Sequence, residues 1–355
     1  MGHDKAEPAD RSSPVNAGRP PSRPTMNDVA ARAGVGLSTV SRVVSGDTRV
    51  SEARSALVRQ AIRELGFRRN DSARQLRRGA TESIGLVIED VVDPFFSHLA
   101  QAVEEVAFAR NSLLLTSSST RDAQRTRRIV LEFCARRVDG LIITPSESDE
   151  AEYLREELDA GVPMVFVDRP PPGGIDADSV LTDDFGGARS GVEHLIAHGH
   201  RRIACFSDRD SLYSASERVR GYRHALEVAG ITVDPTLIHS ATPESEGFAR
   251  ALARMLAGAE PPTAVFAANN RSTIVLLREL VRHEMRPALV GFDDFELADA
   301  MSPGVTVVAQ FPGEIGRIAA EQLFRRIDGA RGPSHLTSLR TRLIVRGSGE
   351  VPPAT

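Results

Sequence analysis

Two sets of side chains in this 355-residue sequence are of types that suit binding. The first is Leu37, Ser38, Thr39, Ser41 and Arg42, with Thr25 a little upstream and Arg49 a little downstream. Hydroxyls and a guanidinium crowded on one short segment suit phosphate oxygens and base edges, and a leucine among them suits a thymine methyl. The second set is spread along the chain: Asp93, Phe95 and Phe96, then Asp168 and Arg169, Arg218, Asn269, Asp293 and Gln310. Most of these stand just beyond an apolar run. Carboxylates, amides and guanidiniums that donate and accept, with aromatic faces to stack on a ring, suit a small polyhydroxyl ligand such as a pentose or hexose. The same types have a plainer use: Asp and Asn at strand ends cap the next helix, and Arg218 can pair with a neighbouring acid.

The elements that must position the first set are short helices. Thr25 can cap a helix that Asp28 answers three residues on; Val29, Ala30 and Ala33 fall at helical spacing, and Gly34 ends it. After Gly34-Val-Gly36 a second helix begins at Leu37, with Val40, Val43 and Val44 inward and Leu37, Ser38, Ser41 and Arg42 outward. A third helix, roughly 52–65, offers Ala56, Leu57, Ala61, Ile62 and Leu65 to close a miniature core. Two short helices across a Gly-containing turn form the helix-turn-helix unit, whose second helix enters the major groove, although a plain three-helix bundle shares the pattern.

The second set needs a different scaffold. From Glu82 onward, apolar runs at 83–88, 112–116, 140–143 and 163–167 alternate with helix-length segments, and a second series follows at 202–206, 237–238, 264–267 and 288–292. Runs this apolar suit parallel strands buried on both faces. Two doubly wound halves imply a cleft with ligand held at the C-terminal ends of the strands.

Charge separates the two regions. Residues 1–80 carry 15 Lys and Arg against 8 Asp and Glu, whereas the rest carries 29 against 40, so only the head is suited to a polyanion. No stretch approaches the ~20 consecutive apolar residues of a membrane span. Residues 1–23 read as a disordered tail of Pro, Ser, Gly and charge without the apolar segment of a secretion signal. Cys134 and Cys205 lie far apart in apolar runs, which points to two buried, reduced thiols and neither a disulfide nor a zinc site.

The run from Thr25 through Gly46 resembles the N-terminal signature of the lactose-repressor/galactose-repressor (LacI/GalR) family. The likeness continues through Arg49-Val-Ser51, Leu65-Gly-Phe67, Asn70 and Ser72–Arg78, then on to about Arg346. It implies an N-terminal all-α helix-turn-helix headpiece (24–69), a hinge helix (70–79) and an α/β periplasmic-binding-protein-like domain of two doubly wound lobes (80–350). The lobes would be about 82–181 plus 312–335, and 182–309 plus 336–350. By the same resemblance Leu37 and Ser38 read bases, and Leu76 is the apolar wedge of the hinge. Ala73 lets paired hinges pack, and Asn70 and Gln75 also belong to the DNA-binding set. Gly36 departs from the serine usual there, which removes one phosphate contact, and Arg49, in the loop after the second helix, offers an extra backbone or base contact. Asp93 stands where ribose binders carry Asn. Leu212 stands where purine-responsive members carry an arginine, which argues against a purine ligand.

The expected protein is therefore a cytoplasmic, homodimeric repressor that binds a palindromic operator and is released by a small sugar, a ribose-like pentose favoured and a hexose possible. Neither cofactor, metal nor membrane partner is expected. Its C-terminal Val-Pro-Pro-Ala-Thr lacks the leucine heptads of the family's tetramerising segment. Two other responses stay open: a sugar-binding receptor, and a regulator whose DNA binding the ligand strengthens. An enzyme is disfavoured, with no phosphate-gripping loop, His-Glu-x-x-His helix or Gly-x-Ser-x-Gly elbow. His198 and His200 suit capping of helix-end carbonyls, and Asp183-Asp184 suits a helix start.

Overall fold

The computed structural model describes residues 24–68, 81–146, 151–243, 246–282 and 285–353. Its contacts divide the chain into two units, one ending at Arg78 and the other beginning at Gly79. The expected tail, and Asn70, Ala73, Gln75 and Leu76 of the expected hinge, lie outside the described residues.

The first unit holds three helices: α1 (Met26–Ala33), α2 (Leu37–Val44) and α3 (Glu52–Leu65). Thr25 and Asp28 form the expected reciprocal cap of α1, and Gly34 ends that helix in the left-handed conformation at φ 64°. Val29, Ala30, Ala33, Val40, Val58, Ala61 and Phe67 form the core. α3 presents a face slightly rotated from the expected one. Ser55 and Val58 are buried, whereas Ala56 and Leu57 face solvent. The spacing 55–58–61–62–65 follows one helical stripe, and Leu57 lies off it.

The second unit runs β1 (Ser83–Ile88), α4 (Pro94–Ala109), β2 (Leu113–Ser118), α5 (Ala123–Ala135), β3 (Leu141–Ile143), α6 (Ala151–Asp159), β4 (Met164–Val167) and β5 (Asp178–Thr182). It continues through α7 (Asp184–Ala197), β6 (Ile203–Ser207), α8 (Tyr213–Val228), β7 (Ile238–Ser240), α9 (Glu246–Leu256), β8 (Ala264–Ala267) and α10 (Asn270–Arg282). Last come β9 (Ala288–Phe292), β10 (Thr306–Ala309), α11 (Pro312–Ile327), β11 (Leu336–Leu339) and β12 (Arg342–Ile344). The strands form two six-stranded sheets, in the orders β11-β5-β4-β3-β1-β2 and β12-β10-β9-β8-β6-β7. All pairings are parallel except β10 with β12.

The central strands are Val, Ile, Leu, Phe and Ala buried on both faces, as parallel sheets require. Each lobe also places two helices in close contact at a glycine. In the first, α11 crosses α4, and a Cβ at Gly316 would lie 2.4 Å from the carbonyl oxygen of Leu99. In the second, α8 crosses α7, and a Cβ at Gly221 would lie 2.3 Å from that of Phe185. Only glycine permits such an approach.

The chain passes between the lobes three times: after β5, after β10 and after β11. The last passage comes later than the sequence places it. Leu336–Leu339, expected in the second lobe, pairs in parallel with β5 of the first. Backbone bonds at both ends fix that register, Ser179 N to His335 O at 2.9 Å and Asp183 N to Leu339 O at 2.8 Å. The passages are also tied to one another, since Thr182 Oγ1 donates to Gln310 Oε1 and Asp183 N reaches Leu339 O.

Candidate functional site: a DNA-reading helix and an inter-lobe cleft

In the first unit α2 leaves Leu37, Ser38, Ser41 and Arg42 exposed and Thr39 half-buried, while Val40 is fully buried. The outward set is therefore continuous along the helix. Gly36 is the N-cap of α2 and supplies no side-chain bond, so the first-turn N–H groups have no side-chain acceptor from it. Thr25 is exposed, but its hydroxyl bonds to Asp28. Arg49 is exposed too and is held by Asp47, with Nε to Oδ1 at 2.9 Å and Nη2 to Oδ2 at 2.8 Å. Arg49 must therefore exchange a carboxylate partner for any phosphate it meets.

In the second unit, the strand ends of the two lobes face each other across a cleft of about 510 Å³, its open mouth included. Asp168 follows β4 and Asp293 follows β9, strands at the same position in their respective sheets. Both are left-handed, at φ 67° and 69°. Both also donate their N–H to the next strand, Asp168 to Val180 O at 3.2 Å and Asp293 to Val308 O at 2.9 Å. Left-handed backbone at two equivalent non-glycine positions is strain concentrated where a ligand would sit.

Around Asp168 the first lobe builds a carboxylate between two guanidiniums. Glu89, just past β1, accepts from Arg121 Nε and from Arg169 Nη2. Arg169 also bonds Pro145 O at 2.9 Å and lies 3.2 Å from Asp168 Oδ2. Burial would raise the Glu89 carboxyl, but Arg169 and Arg121 outweigh it and hold it below the usual range. Around Asp293 the second lobe builds the inverse, a guanidinium between two carboxylates. Arg218 Nε donates to Asp184 Oδ1 at 2.7 Å, and its Nη1 donates to Ala268 O at 2.7 Å and lies 3.5 Å from Asp293 Oδ2. The Arg218 guanidinium also stacks 3.8 Å from the centre of the Phe292 ring. Burial pushes the Asp184 carboxyl up to about 7 despite Arg218, and it raises Asp168 and Asp293 as well.

Bonds cross the cleft at two places. Arg121 Nη1 reaches Asp208 of the second lobe at 2.8 Å. On the other side, Arg271 Nη2 meets Asp90 at 2.5 Å and its Nε lies 3.2 Å from Asp93, while Asn270 Nδ2 donates to Asp93 at 3.1 Å. Phe95 and Phe96 line the cleft edge-to-face, with ring centres 5.0 Å apart.

All nine residues expected to hold ligand line this cleft. Several have a second task. Asp93 caps α4 through Phe95 N at 3.0 Å, and Asn269 caps α10 through Ser272 N at 2.7 Å. Gln310 donates to Asp293 at 2.5 Å. Sequence reasoning did not select Glu89, Arg121, Asp184, Asp208, Asn270 or Arg271. Glu89 and Asp208 each stand directly past a strand, so the rule that found Asp168 reaches them. Arg121 and Asp184 carry no such signal. Asp183 caps α7 and His198 caps a carbonyl of the same helix, as expected. His200 instead bridges Thr263 and the carbonyl of Val351. Cys205 is buried and Cys134 half-buried, both free. Among the described residues no cluster of metal-ligating side chains occurs, and no helix is long and apolar enough to cross a membrane.

Comparison with known proteins agrees with both units. Residues 25–70 match the model of bacterial regulatory proteins of the lacI family, and residues 192–349 match a periplasmic binding protein-like domain. The chain is 33% identical to the ribose operon repressor of Escherichia coli over 328 residues, 91% of this chain and 99% of that one. It is 34% identical to the HTH-type transcriptional regulator CelR of Thermobifida fusca over 340 residues, 92% of this chain and 98% of that one. Among solved structures it resembles the lac repressor dimer bound to operator and the anti-inducer ONPF, with TM-score 0.79, 26% identity, and 92% of this chain and 98% of that one covered.

Proposed function

The chain belongs to the LacI family of bacterial transcription regulators, and from that premise we infer that its cleft binds a small neutral polyol, a ribose-like pentose before a hexose, that releases it from its operator. Members of this family bind operator DNA as dimers through the helix-turn-helix unit. Two-fold protein symmetry then matches a palindromic site. Leu37 and Ser38 read bases in the major groove, with Thr25, Thr39, Ser41, Arg42 and Arg49 on the backbone around them. Residues 70–79 form the hinge, with Leu76 as minor-groove wedge and Asn70, Ala73 and Gln75 beside it.

Asp93, Phe95, Phe96, Asp168, Arg169, Arg218, Asn269, Asp293 and Gln310 hold the effector. The observation that carries this reading is the pair of left-handed aspartates at equivalent strand ends, each beside an arginine and facing the other lobe. Paired carboxylates and guanidiniums accept from and donate to the vicinal hydroxyls of a sugar, and Phe95 and Phe96 supply an apolar wall. The resemblance to the E. coli ribose operon repressor favours a pentose. The cleft binds and does not turn over its ligand. Ligand closes the lobes, the hinges separate and operator affinity falls; by linkage, operator DNA weakens ligand binding by the same factor.

The test is to titrate the full-length dimer, bound to labelled operator, with D-ribose and then with other pentoses and hexoses. Saturable release by a pentose is expected. A panel in which no pentose or hexose binds or releases DNA overturns the sugar reading, and tighter operator binding on ligand addition reverses its sign.

A further inference from the structure

We propose that the cleft selects its effector by charge, admitting neutral polyols and rejecting phosphorylated ones, because every guanidinium that lines it is already committed to carboxylates of the protein. This inference rests on the sugar reading above and narrows it to one chemical class.

Recognition of a phosphate ester needs a cation or a set of N–H donors with unspent bonding capacity. Among the described residues, the cleft is lined by four arginines. Arg121 spans Glu89 and Asp208, and Arg169 spans Glu89 and Asp168. Arg218 spans Asp184 and Asp293, and Arg271 spans Asp90 and Asp93. Seven carboxylates thus pair with the four guanidiniums; five of them, Glu89, Asp93, Asp168, Asp208 and Asp293, line the cleft, and most of these groups are buried. A dianion entering it would find each lining guanidinium already paired and would meet the carboxylates of Glu89, Asp93 and Asp208, and low surrounding polarity strengthens that repulsion. Burial, and after it the neighbouring acids, raise the carboxyls of Asp168, Asp184 and Asp293, which leaves them free to donate to or accept from a hydroxyl. A polyol meets no such barrier, since its hydroxyls donate to carboxylate oxygens that the arginines leave open.

The counter-arrangement is visible in the same cleft. α8 begins at Tyr213 with Leu212 as an N-cap that makes no side-chain bond, and Ser214 and Ala215 line the space. An anion could be drawn there by the helix dipole alone. Asp208, on the approach to that helix, opposes it.

Two of the acids are therefore specificity-determining. Asp208 and Asp90 each neutralise an arginine from the opposite lobe, Arg121 and Arg271. The test measures binding of D-ribose, D-ribose 5-phosphate, D-glucose, D-glucose 6-phosphate and inorganic phosphate by titration calorimetry, using the full-length dimer and its Asp90→Asn/Asp208→Asn variant. In the wild type the parent sugar should bind at least about tenfold more tightly than its ester. The double variant, with Arg121 and Arg271 each released from one partner, should bring the ester up by about tenfold relative to the sugar. The single variant Asp90→Asn, at a partly exposed partner of Arg271, should give a smaller shift in the same direction and guards against misfolding of the double variant. An ester that binds the wild type as well as its parent sugar overturns charge selection and leaves the sugar reading intact. Tight binding of phosphate alone would place the anion at the start of α8 and also overturn it. A variant whose ester-to-sugar ratio equals that of the wild type removes Asp90 and Asp208 from the role. If neither sugar nor ester binds the wild type, the sugar reading fails and this inference with it.

Discussion

In the first lobe of the cleft one carboxylate, Glu89, sits between two guanidiniums; in the second one guanidinium, Arg218, sits between two carboxylates. The two lobes repeat the same strand order and the same left-handed aspartate, yet their charges are arranged inversely. The consequence is unequal redundancy. Remove Glu89 and both arginines still have a partner, Asp208 for Arg121 and Asp168 for Arg169. Remove Arg218 and two buried carboxylates face each other with no guanidinium between them. The second lobe therefore hangs on a single side chain, and the first does not.

Substitution of the two hubs tests this most strongly. Arg218→Met should destabilise the second unit by about 3–5 kcal/mol, the usual cost of orphaning buried charge, while Glu89→Gln should cost roughly 1–3 kcal/mol. Denaturant unfolding of both variants measures it, and equal costs would erase the asymmetry. The glycine crossings should behave alike in both lobes, because the same close approach occurs in each. Gly221→Ala and Gly316→Ala should each lose about 1–3 kcal/mol by overpacking. A wide difference in the two melting temperatures would mean that one crossing relaxes and the other does not. A pH dependence tests the Arg218 cluster in a third way. Burial raises the Asp184 carboxyl on folding from its ordinary 3.8 to about 7, so between those values the folded state holds a proton that the unfolded state has lost. Its contribution is present below about pH 4 and declines as pH rises to about 7. The stability of the wild type relative to Asp184→Asn should fall across that window and level off above it. A flat difference would show that Asp184 stays ionised beside Arg218.

The same contrast explains what could be read from the sequence. Asp168 and Arg169 are neighbours in the chain, so their pairing was legible once a strand had been placed before them. Arg218 meets Asp184 and Asp293 only because α7, α8 and β9 converge, and no local pattern announces that. The helices of the first unit were legible through caps and stripes, down to the Thr25–Asp28 box. The inner face of α3 was set instead by tertiary fit, which chose Val58 over Leu57. β5 and β11, with Asp, Ser and Thr among few apolar residues, give weak strand signals; pairing defines them, β5 between β4 and β11 and β11 at the sheet edge.

The three passages between the lobes have a mechanical meaning. Two bodies joined by one strand can swing, slide and twist, whereas three adjacent strands tied by Thr182–Gln310 and by Asp183–Leu339 act like a door hung on three pins. Such a mounting resists translation and torsion and leaves one soft rotation. Gln310 sits on one pin and donates to Asp293 in the cleft, so one side chain joins the mounting to the site.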